Sequence, residues 1–144
     1  MDGFTVTIQA LETRPRAGET EKLTINLGVV DLGQIDLLVQ EGFYSNRSDL
    51  IRTAIRNQLA VHADEVKASA TRRTLQLGLQ HLSRAELERA RAEGRMLHIQ
   101  VLGLARIAAD VSPELARATI GSVEVLGAFQ ASAEVRRVLA DRVR

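Results

Sequence analysis

Apolar and polar residues alternate over Lys22-Leu23-Thr24-Ile25-Asn26-Leu27, the period of a strand with one face on a core and the other in solvent. Directly afterwards Leu32, Ile35, Leu38 and Val39 recur at helical spacing, which predicts a helix over about 29–41. Gly28 permits a sharp turn into it, and Gly42 is a natural C-terminal stop. Ser45 is placed to cap a second helix, whose apolar stripe is Leu50, Ile51, Ala54, Ile55 and Leu59. Helical pattern runs on past Val61 toward Glu65, and residues 63–72 are weakly apolar, as in a linker. Upstream, residues 4–11 also alternate, and Arg14-Pro15-Arg16-Ala17-Gly18 has the composition of a turn or flexible linker. Of the two strand-like segments, only 22–27 leads straight into helices.

One strand and two helices in about 40 residues bury too little apolar surface to be stable alone. Such a unit needs a partner, and a second copy of itself is the obvious one. This order of elements resembles the ribbon-helix-helix family of dimeric DNA-binding proteins (Arc, MetJ and CopG-like), over residues 20–62 only. The resemblance implies that two strands pair antiparallel across a dyad and enter the major groove. Lys22, Thr24 and Asn26 then stand at the family's base-reading positions. The chemistry suits that role: Asn makes a bidentate contact with adenine, Lys donates to guanine, and Thr reaches either edge or a thymine methyl. The start of the second helix, Ser45-Asn46-Arg47-Ser48, is close to the family's phosphate-gripping sequence. Exposed amides and the positive end of the helix dipole favour an anion there. Arg14 and Arg16 have the placement of a DNA-contacting arm. Many family members carry Pro directly after the strand, where this chain has Gly28.

From about Arg73 onward, Leu77-Gly78, Leu102-Gly103 and Leu126-Gly127 recur at spacings of 25 and 24. Each pair follows an alternating strand pattern, and each is followed by a serine able to cap a short helix: Ser83, Ser112 and Ser132. Three strand-turn-helix units fit either a small solenoid-like layer or a sheet covered by helices. The expected fold class is therefore α+β: an N-terminal arm (1–19), a ribbon-helix-helix domain (20–62), a linker (63–72) and a C-terminal β/α repeat domain (73–144) serving oligomerisation or sensing.

With 45% hydrophobic but only 3% aromatic residues, the core must be aliphatic. The chain has no cysteine, no signal-peptide pattern and no apolar run long enough to span a bilayer. A cytoplasmic protein is expected. Charge gives no general pull toward nucleic acid: residues 1–62 hold six Lys and Arg against eight Asp and Glu, and the remainder holds thirteen against ten. Lys22, Arg47, Arg52 and Arg56 nonetheless fall in the segments that would face DNA.

Chemistry of other kinds finds little support. Nickel-responsive members of the family sense metal through clustered His and a Cys, but His62, His81 and His98 are widely spaced. No metal or cofactor is expected. Phosphate-binding glycine loops and a nucleophile elbow are both missing, so no catalytic residue and no enzyme activity are expected. Glu86, Glu88 and Glu93 alternate with Arg84, Arg89 and Arg91 as on a salt-bridged helix face. The reading is a sequence-specific transcriptional regulator, a repressor, acting on double-stranded DNA as a homodimer or higher oligomer. A protein partner or effector would act at residues 73–144. The alternative is an antitoxin or plasmid-maintenance protein whose C-terminal part binds a partner protein.

Overall fold

A computed structural model describes residues 19–144. The alternating segment 4–11 and the arm residues Arg14 and Arg16 lie outside the described residues. Residues 20–28 lead without regular secondary structure into α1 (Val29–Gln40), which is followed by α2 (Arg47–Val61) and α3 (Ala63–Arg72). Helix α1 stops where Gly42 takes a φ of +86°, with Phe43 N–H donating to Leu38 O and Gly42 N–H to Val39 O. Those two bonds satisfy carbonyls that the last turn would otherwise leave unpaired. Gly28 itself has a φ of −61°, a value that proline also adopts. The backbone there is one that the family's proline would also fit.

Residues 63–72, expected as a linker, form a helix. Three alanines supply helix propensity, Asp64 and Glu65 sit at its positive end, and Arg72 sits at its negative end. The helical pattern read past Val61 toward Glu65 is present, broken only at His62, where α2 closes and α3 begins.

The remainder alternates strands and helices: β1 (Gln76–Leu82), α4 (Arg84–Ala92), β2 (Leu97–Ile107), α5 (Pro113–Thr119), β3 (Ile120–Gln130) and α6 (Ala133–Val138), then a 3₁₀ turn at Ala140–Arg142. The strands are parallel, side by side in chain order. Helix α5 packs between α4 and α6 in one row. Every helix of the row starts at a serine whose hydroxyl accepts an amide three residues on: Ser83 from Glu86, Ser112 from Leu115 and Ser132 from Val135. Between sheet and helices lies an aliphatic core of Leu87, Ile99, Val101, Leu115, Ile120, Val123, Val135 and Leu139. The buried Thr119 hydroxyl donates to Leu115 O at 2.7 Å, which satisfies it locally.

The register aligns Leu77 with Leu102 and Leu126, and Gly78 with Gly103 and Gly127. All three glycines hold φ between +121° and +141°, where L residues are strained. A Cβ on Gly103 would stand 2.2 Å from Gly78 O, and one on Gly127 would stand 2.1 Å from Gly103 O. Backbone thus packs on backbone from strand to strand, and no side chain fits between. Gly103→Ala should therefore destabilise the chain well beyond Gly94→Ala. Gly94 also has positive φ (+65°) but open space around it, so its cost is the strain alone, roughly 1–2 kcal/mol. Gly103→Ala adds a forced backbone shift of about 1–3 kcal/mol more. Urea midpoints of the two variants decide it, and equal losses would refute the close-approach account.

Candidate nucleic-acid interface

Strand geometry needs a paired neighbour, yet residues 20–28 pair with no strand among the described residues. Leu23, Ile25 and Leu27, expected to lie over the helices, are 81%, 54% and 41% exposed. Lys22, Thr24 and Asn26 alternate with them and are exposed as well. In a single chain, therefore, both faces of this segment meet solvent.

The helices repeat the pattern. Neither α1 nor α2 has a buried residue. The stripe expected to be buried corrects in the same direction. Leu32, Ile35, Val39, Leu50 and Ile51 are half-buried, while Leu38, Ala54, Ile55 and Leu59 are exposed. Two helices touching each other cover one flank of each stripe only, so apolar surface stays open on both.

At the start of α2, Asn46 and not Ser45 is the N-cap. Its Oδ1 accepts from Asp49 N–H at 2.8 Å, and Asp49 Oδ2 accepts in return from Ser45 N–H at 3.0 Å. This reciprocal pair is a capping box moved one residue along. It locks the turn that presents Ser45, Asn46, Arg47 and Ser48, all of them exposed.

Arg47 has a second tie that the sequence did not reveal. Its Nε and Nη2 donate to Asp36 Oδ1 and Oδ2 at 2.7 and 2.9 Å. This fork binds the start of α2 to α1. The hydrogen bonds from Arg47, then its charge, hold the Asp36 carboxyl below its ordinary value of 3.8, and the same contacts raise the Arg47 guanidinium. Arg47 thus reaches α1 with its side chain while its backbone opens α2. Arg52 and Arg56 are exposed farther along α2.

Elsewhere several polar residues form isolated pairs, while Arg117 donates to both Asp141 and Val138 O and Arg142 donates to Arg117 O. His98 Nδ1 lies 2.8 Å from Ser122 Oγ, Arg84 pairs with Glu88, and Arg95 with Glu93. No group of three or more His, Asp or Glu among the described residues is arranged to hold a metal ion. An open cleft of about 470 Å³ runs along the glycine stripe, lined by Glu19, Glu21, Leu79, Leu104 and Ala128. No described helix is long and apolar enough to cross a membrane.

The model of the Ribbon-Helix-Helix transcriptional regulator family matches residues 18–136, most of the chain. The chain belongs to that family. It is accordingly a DNA-binding transcriptional regulator, of a family that is typically non-enzymatic and oligomeric. No curated protein and no solved structure matches it.

The Asp36–Arg47 fork predicts a pH dependence. A carboxyl whose folded pKa is depressed stabilises the fold above its unfolded value, and that stability is lost as pH falls through the lower folded value. Asp36→Asn should therefore lower the urea midpoint at pH 7 and match the parent chain once the pH is well below 3.8. Unfolding curves at both pH values check this. A gap that persists undiminished in acid would assign the effect to something other than ionisation.

Proposed function

We propose that this ribbon-helix-helix regulator acts as a homodimeric repressor. Two copies of residues 22–27 pair antiparallel and place Lys22, Thr24 and Asn26 in the major groove of a pseudo-palindromic operator. One observation carries the reading most: an alternating apolar face, Leu23, Ile25 and Leu27, stands exposed beside two helices with no buried residue. Covering a Leu or Ile side chain fully is worth roughly 1.5–3 kcal/mol, so several at once outweigh the entropy of association. Pairing also supplies partners for the ladder groups of 22–27. The same arrangement leaves the alternate polar residues facing outward.

In this assignment residues 20–62 are the DNA-binding domain, α3 is a helical connector, and residues 73–144 are a second domain. Ser45, Asn46 and Ser48 hold a backbone phosphate at the start of α2. Arg47 adds charge there while Asp36 fixes its direction. Such contacts set register and affinity, and the ribbon chooses sequence. The second domain has its own aliphatic core, which favours oligomerisation or effector control over the partner-binding tail of an antitoxin.

Asn26→Ala and Thr24→Ala should each relax base preference at one position of each half-site, by ~1–3 kcal/mol per lost bidentate contact. Arg47→Ala should instead weaken binding to all sequences alike. Operator selection from random duplexes, followed by anisotropy titration of the variants, measures both. A non-symmetric selected sequence, or Asn26 and Thr24 variants with unchanged preference, would defeat the proposal.

A further inference from the structure

Strand β1 poses a problem separate from DNA binding. Parallel sheets are ordinarily covered on both faces, yet Leu77 is 74% and Leu79 54% exposed. Among the described residues β1 is hydrogen-bonded on one side only, to β2. Natural edge strands are blunted by charge, proline, bulges or brevity. Gln76-Leu77-Gly78-Leu79-Gln80-His81-Leu82 has no Lys, Arg, Asp, Glu or Pro, and its register with β2 is unbroken over seven residues.

The two edges of the sheet differ. Beside β3, Val143 bridges Val123 and Arg144 N–H donates to Val123 O at 2.8 Å. Val143 and Arg144 thus occupy part of that edge, and head-to-tail stacking of β3 on β1 is obstructed. An edge that cannot join the opposite edge can still join itself, and closed twofold contacts are the commonest between identical chains.

The sequence of β1 fits such a contact. Gln76-Leu77-Gly78-Leu79-Gln80 reads the same in both directions. Antiparallel pairing centred on Gly78 sets Gly78 against Gly78, Leu77 against Leu79 and Gln76 against Gln80 of the second copy. Leucine then meets leucine on one face, and two side-chain amides able to hydrogen-bond mutually meet on the other. No like charges oppose each other. A Cβ on Gly78, unlike those on Gly103 and Gly127, would meet nothing within 4 Å, so the backbone there is open to close approach.

We infer that β1 is a self-complementary interface. Two copies of the chain join β1 to β1 antiparallel about a twofold axis at Gly78 and form a continuous six-stranded sheet. The contact is independent of the ribbon, so loss of either leaves the other testable.

Site-directed crosslinking of the full chain tests it, because the protein has no cysteine of its own. In the Leu77→Cys/Leu79→Cys variant, position 77 of one copy faces position 79 of the other at roughly 4.5–5.5 Å between Cβ atoms. Mild oxidation at micromolar concentration should yield a covalent dimer, with peptide mapping placing the bond between 77 and 79. Leu126→Cys is the control, exposed on β3 at 43%. It lies five strand spacings from its mate, roughly 24 Å, and should give at least tenfold less dimer. Equal crosslinking of the two variants, no covalent dimer, or bonds joining 77 to 77 would overturn the inference. All substituted side chains are exposed, so folding should survive, and a thermal melt of each variant verifies that.

Discussion

Apolar surface that one chain cannot cover by itself governs this structure. Residues 76–139 solve the problem internally: a sheet and a helix row enclose Ile99, Val101, Ile120, Val123 and Leu139 to within 1% of complete burial. Residues 20–61 do not solve it, and Leu23, Ile25, Ile55 and Leu59 remain open. The contrast follows from element count. Three strand–helix units give each apolar face a partner in the same chain, whereas one extended segment and two helices offer too few faces. In the proposed dimer, association would complete the folding of the first half, whereas the second half already has a core of its own.

The electrostatics of the first half follow from the same economy of parts. Its acidic excess looks unsuited to DNA until the carboxylates are traced. Asp49 is spent on the cap of α2, and Asp36 is spent on Arg47. Both order the turn that opens α2. Arg47 brings its charge to that turn already shared with Asp36, and Lys22, Arg52 and Arg56 are further exposed cations near the proposed interface. Non-specific attraction grows with the number of phosphates neutralised, so a surface this sparing in charge offers only weak non-specific attraction to a duplex.

How much was legible in the sequence depended on the range of the interaction concerned. Ser83, Ser112 and Ser132 were readable as caps because an N-cap bond spans three residues and needs nothing else. The interval between Leu-Gly pairs was readable because parallel strands in register repeat the same environment. At Ser45-Asn46 two adjacent polar residues competed for one cap, and Asp49 decided between them through a bond invisible to spacing. Residues 63–72 read as a linker because apolar pattern was the guide, while alanine content and end charges make the helix. The Asp36–Arg47 fork lies eleven residues apart across a turn and leaves no periodic trace. The family match reaches residue 136, far past the resemblance visible at 20–62, since glycine and leucine intervals alone do not name a family.

Two extended segments in this chain share one need and differ in how their faces are dressed. In 22–27 the apolar residues fall on one face, and Lys22, Thr24 and Asn26 occupy the other. Pairing such a segment with its copy therefore leaves a polar surface that still has hydrogen-bonding capacity for a third body. In β1 Leu77 and Leu79 share the face turned away from the helices, and Gln76 and Gln80 share the other with the buried Leu82, with no Lys, Arg, Asp or Glu on either. A copy laid against it uses up what the strand offers. The first pattern suits a surface that recognises something after it dimerises, and the second suits a junction. Both follow from alternation with a period of two, and the residues set between the apolar ones decide which outcome each segment serves.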